Sequence, residues 1–72
     1  MDLTPNQRKA LRFIHAEIIA DGEFPSMRDI ADHVGLKRPF SGEVLCYHLA
    51  EKGYLTRRGV GRYTLPQTEE AA

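Results

Sequence analysis

The stretch that most restricts the fold of this chain covers residues 26–65, SMRDIADHVGLKRPFSGEVLCYHLAEKGYLTRRGVGRYTL. Two short amphipathic segments flank a glycine turn, and β-favouring residues then surround Gly59-Val60-Gly61. Two helices joined that tightly must cross steeply, which leaves one side of the second helix on the surface. A basic hairpin follows at once. With 72 residues there is space for one domain, near the lower limit for a core without disulfides or metal.

Local signals mark each boundary. Thr4-Pro5-Asn6-Gln7 combines an N-cap hydroxyl, a proline at the first helical position and a glutamine at N3. Ala10, Leu11, Phe13, Ile14 and Ile18 then repeat at helical spacing, and Gly22 stops a first helix expected over residues 5–20. Phe24-Pro25 is extended by the proline rule, and Ser26 with Asp29 reads as a second capping box. Ile30, Ala31 and Val34 form the buried side of a short helix ended by Gly35, with Leu36 plugging the turn into the core. Pro39 opens a third helix that continues to Lys52 and stops at Gly53. Residues 54–58 and 62–65 are expected to pair as strands across the glycine turn. The expected architecture is mainly α with a small β-hairpin, a winged helix–turn–helix over residues 1–65 with a flexible acidic tail over 66–72.

At 100° per residue the third helix sorts into two faces. Gly42, Leu45, Cys46, Leu49 and Ala50 fall on the inner side; Phe40, Ser41, Val44, Tyr47, His48 and Glu51 fall on the outer. A glycine on the inner side suits a close helix crossing. The charge is segregated in the same way, although the chain totals zero. Residues 1–36 carry −2, residues 37–64 carry +4 and the tail −2. The positive block coincides with the third helix and the hairpin, which can orient a neutral protein on nucleic acid.

Other classes find little support. No apolar run approaches the ~20 residues of a membrane span, and MDLTPNQRKAL lacks the order of a signal peptide. The lone Cys46 cannot form an internal disulfide, which fits a reducing cytoplasm as the expected location. Cys46 and His48 point to different sides of one helix, and His15 and His33 have no ligand partner at metal-site spacing. No nucleophile or acid pair sits in a catalytic motif. Neither an enzyme, nor a metal, a cofactor or a small-molecule ligand is expected.

The runs LTPNQRKALRFI, FPSMRDIADHVGLKRP and LAEKGYLTRRGVGRYTL together resemble the N-terminal DNA-binding domain of the LexA repressor family. That family shows LT-x-x-Q near its start, PP-[ST]-x-x-E-IA on its second helix, a G-[FL]-x-S-P turn and L-x-x-KG before the wing. The likeness covers roughly residues 3–65. It implies binding to operator DNA, with the third helix in the major groove and the wing over the backbone. At base-reading positions this chain departs from the pattern. Arg38 replaces the serine before the turn proline, Phe40 replaces the polar residue after it, and Val44 replaces the second of a glutamate pair whose first member remains as Glu43. The family's operator sequence therefore does not carry over, and its self-cleaving protease domain has no counterpart in these residues.

The residues expected to face bases are Arg38, Phe40, Ser41, Glu43 and Val44. Arginine can bond guanine O6 and N7 together, and Phe40 and Val44 can pack on thymine methyls. Arg28, Lys37, Lys52, Arg57, Arg58 and Arg62 suit phosphate, where point charge matters more than sequence. Each has a blander reading: a solvated charge for the cations, a protein-docking face or internal packing for Phe40 and Val44. The expected partner is duplex DNA, bound by a transcription regulator, repressor rather than activator, with two copies on paired half-sites. A protein-interaction module using the apolar side of the third helix is the alternative. Single-stranded nucleic acid is a weaker one, because Tyr54 and Tyr63 must also pack.

Overall fold

The structure, a computed structural model, describes residues 3–38 and 40–66. Helices α1 (Pro5–Asp21), α2 (Met27–Val34) and α3 (Phe40–Glu51) precede strands β1 (Thr56–Gly59) and β2 (Arg62–Thr64). Pro39, expected to open α3, lies outside the described residues, as does the expected tail apart from Pro66.

The N-terminal signals act as their chemistry requires. Thr4 Oγ1 accepts from the Gln7 amide at 3.1 Å, and Gln7 Oε1 accepts from the Thr4 amide at 3.2 Å, a reciprocal capping box. At α2 the Ser26 hydroxyl accepts from the Asp29 amide at 3.0 Å, a single N-cap bond where the sequence reads as a second capping box, since the shorter Asp29 side chain makes no return bond to the Ser26 amide. Both α2 and α3 end in the same hydrogen-bonded turn. Leu36 N donates to Ala31 O at 2.9 Å and Gly35 N to Asp32 O at 3.1 Å; Tyr54 N donates to Leu49 O at 2.8 Å and Gly53 N to Ala50 O at 3.1 Å. This Schellman geometry needs a left-handed residue, supplied by Gly35 at φ 94° and Gly53 at φ 90°. It turns the next apolar side chain, Leu36 or Tyr54, back onto the core.

That second turn corrects one expectation. Tyr54 and Leu55 stand outside β1, although their composition favours a strand. The turn consumes the Tyr54 amide, and Leu55 is buried in the core instead. The hairpin is correspondingly short. Thr56 pairs with Thr64 and Arg57 with Tyr63, and a bulge between Arg57 and Gly59 brings Gly59 opposite Arg62.

Ala10 and Ile14 of α1, Ile30 and Val34 of α2, and Leu45, Cys46 and Leu49 of α3 form one core, closed by Leu55 and Tyr63. The Phe13 ring stacks on His33 with centroids 4.3 Å apart, adding an α1–α2 contact at the rim. α3 and α2 approach each other closely at Gly42. A Cβ built on Gly42 would overlap the Met27 carbonyl, lying 2.9 Å from its carbon. Backbone cannot step aside as a flexible side chain can. Alanine is the better helix former by about 1 kcal/mol, so Gly42→Ala would stabilise a solitary helix. Here it is expected to lower unfolding stability in urea by ~1–3 kcal/mol, the usual cost of overpacking. An unchanged or raised urea midpoint would mean that the two helices do not approach this closely.

Candidate nucleic-acid interface

The α2–α3 crossing places the start of α2 beside the start of α3. The hairpin completes the group. Tyr63 Oη donates to Glu43 Oε2 at 3.1 Å, and Glu43 Oε1 lies 3.4 Å from where a Cβ on Gly61 would stand. Ser26 and Met27 at the start of α2 face Arg58, Gly61 and Arg62 of the hairpin across an open groove of about 440 Å³. Three elements distant in sequence therefore share one side of the molecule.

The cations singled out in the sequence fall largely around this side. Arg28 is exposed in the first turn of α2, and Lys37 and Arg38 are exposed in the turn before α3. Arg57, Arg58 and Arg62 are exposed on the hairpin. Arg58 Nε donates to Thr64 Oγ1 at 3.1 Å, which holds that guanidinium across the two strands. Lys52 differs from the rest. Its Nζ donates to Gln7 Oε1 at 2.7 Å, so the end of α3 is tied to the capping box of α1. Gln7 is buried, and its carbonyl oxygen serves two donors, the Thr4 amide and the Lys52 ammonium 45 residues further along the chain.

The outer face of α3 carries Phe40, Val44 and Tyr47 at 70%, 37% and 46% exposure, with Ser41 partly covered. They form an apolar strip at helical spacing, beginning beside Arg38. Glu43 is half-buried and directed at the hairpin, unlike the other residues expected to face bases. Val60, read in the sequence only as part of a turn, stands 87% exposed at the hairpin tip. No helix among the described residues is long and apolar enough to cross a membrane, and none of their His, Cys, Asp and Glu side chains group to hold a metal.

Three helices followed by a two-stranded antiparallel wing, with a tight turn between the second and third, define a winged helix–turn–helix. The sequence comparisons narrow the class. The LexA DNA binding domain family matches residues 1–61. A LexA repressor from Frankia alni is 47% identical over 55 residues, covering 76% of this chain and 22% of the relative. One from Petrotoga mobilis is 36% identical over 61 residues, 85% of this chain and 30% of the relative. One from Thermosipho melanesiensis is 44% identical over 55 residues, 76% and 27%. This chain belongs to the LexA DNA-binding domain family. The matches span less than a third of those curated relatives, and the matched family is a DNA-binding module, not an enzyme domain.

Cys46, on the inner face of α3, has no exposed surface. Burial, and then the charge of Glu43, push its pKa from 9.0 up to about 12. The unfolded chain sheds this proton above pH 9 while the folded chain keeps it to about pH 12, so stability falls as pH rises through that window. Urea midpoints are expected to drop on passing from neutral pH into the window, and to drop less in Cys46→Ala. Equal pH slopes in the two proteins would exclude the thiol as the source.

Proposed function

We propose that this chain is the DNA-binding module of a transcriptional repressor. The N-terminal half of α3 lies in the major groove, and the wing and the start of α2 hold the phosphates on either side. The observation that carries this reading is the convergence of α2, α3 and the wing on one cationic side, in a chain of the LexA DNA-binding domain family. The relatives are named repressors, which supports repression by occupancy of a promoter.

Within that reading Arg38, Phe40, Ser41 and Val44 face bases. Arg38 bonds a guanine edge, while Phe40 and Val44 have no side-chain hydrogen-bonding atom and pack on thymine methyls. Arg28, Lys37, Arg57, Arg58 and Arg62 contact phosphate. Lys52 serves the fold through Gln7 rather than the interface. A single module of this kind buries only roughly 600–1,000 Å² of protein surface. Useful specificity therefore calls for two copies on paired half-sites, one or more helical turns apart.

The exposed strip of Phe40, Val44 and Tyr47 also suits a protein-docking face, and one experiment separates the two uses. A duplex selected from a random pool is remade with uracil in place of thymine, which deletes methyl groups and little else. Affinity is expected to fall about fourfold for each methyl buried by Phe40 or Val44. Undiminished affinity would remove those residues from base reading.

The backbone contacts have a separate signature. Replacing Arg57 and Arg58 by alanine is expected to weaken binding to all duplexes alike and to lower the slope of log K against log salt by about 2. An unchanged slope would take both arginines off the phosphates. Absence of duplex binding at low salt would contradict the proposed function itself.

A further inference from the structure

Glu43 occupies a position where the family pattern suggests a base-reading carboxylate, yet both of its oxygens face the wing. Oε2 accepts from the Tyr63 hydroxyl at 3.1 Å, and Oε1 lies against Gly61. Tyr63 is itself 4% exposed, so its ring belongs to the core while its hydroxyl reaches α3. Burial and then the hydrogen bond to Glu43 raise the Tyr63 pKa, which keeps the phenol protonated as the donor. Arg57 is paired with Tyr63 across the hairpin, and its nearby positive charge opposes that rise. The contacts form a chain from α3 through β2 to a wing arginine.

We propose that the Glu43–Tyr63 hydrogen bond is a latch that sets the angle of the wing against α3, and that Glu43 is a positioning residue rather than a base reader. This rests on the DNA-binding reading above for its consequence, though not for the latch itself. β1 and β2 are four and three residues long, too short to hold an orientation by pairing alone. Within the two strands only Tyr63 is buried, and Leu55 and Leu65 anchor the hairpin to the core at its base, away from its tip. A charge-assisted bond at the centre of the hairpin supplies the missing constraint. With the latch closed, Arg57, Arg58 and Arg62 are held at a fixed distance from the reading face of α3. With it open, the wing samples other angles and only a fraction of molecules can engage base edges and phosphates together. Apparent affinity falls in proportion to that fraction.

Tyr63→Phe removes the hydroxyl and keeps the packed ring; Glu43→Gln removes the charge and keeps an acceptor. Tyr63→Phe is expected to weaken duplex binding about tenfold, with a shallower salt dependence and an unchanged selected sequence. Glu43→Ala is expected to match it, the double variant to be no weaker than either single one, and Glu43→Gln to retain most of the affinity. Amide hydrogen exchange of the free protein supplies a readout that needs no DNA. Residues 56–64 are expected to exchange faster in Tyr63→Phe while the helices keep their protection. A changed base preference in Glu43→Gln, with Tyr63→Phe binding normally, would overturn the latch and return Glu43 to base reading. Unaltered wing exchange in Tyr63→Phe would overturn it as well, whatever the outcome of DNA binding.

Discussion

The close packing of Gly42 on the Met27 carbonyl is the contact on which the rest of this domain depends. It sets the distance between α2 and α3, and so brings the cap of α2 next to the first turn of α3. Only then can the hairpin lie against both. Moving α3 away by the thickness of one methyl group would open the groove between Ser26 and Arg62 and draw Glu43 away from Tyr63. One backbone approach governs the geometry of a cationic surface assembled from three elements.

Polar contacts then fix what packing leaves loose. Gln7 joins the start of α1 to the end of α3 through Lys52, and Glu43 joins the start of α3 to the wing through Tyr63. Each uses a side chain that would otherwise stand as a surface polar group. The division of labour follows from exposure. The buried or half-buried members, Gln7, Glu43 and Tyr63, bond across the fold, whereas the wing arginines stand exposed. Net neutrality is compatible with this because opposite charges occupy different parts of the chain.

The helix ends and the two faces of α3 are legible in the sequence because their causes are local. Thr4 and Gln7 are three residues apart, Gly35 and Gly53 act within one turn, and Gly42, Leu45, Cys46 and Leu49 recur at the helical period and are all buried. The strand expected from residue 54 fails for an equally physical reason: the turn around Gly53 overrides the β-favouring composition of Tyr54 and Leu55. What composition and spacing do not disclose are bonds across the fold. Lys52 looks like any wing-side cation until Gln7, 45 residues away, takes its ammonium. Glu43 looks like a groove-facing carboxylate until Tyr63, 20 residues on, is seen to reach it. The family pattern marks Glu43 as a position of interest without giving the direction of its side chain.

The claim that α2, α3 and the wing present a single DNA-facing surface is tested most directly by backbone NMR of the protein titrated with duplex DNA at low salt. Shift changes and line broadening are predicted to cluster at residues 26–28, 38–44 and 57–62, leaving the far side of α1 around the exposed Ile19 undisturbed. Perturbations centred on the outer face of α1, or confined to one of the three elements, would contradict it.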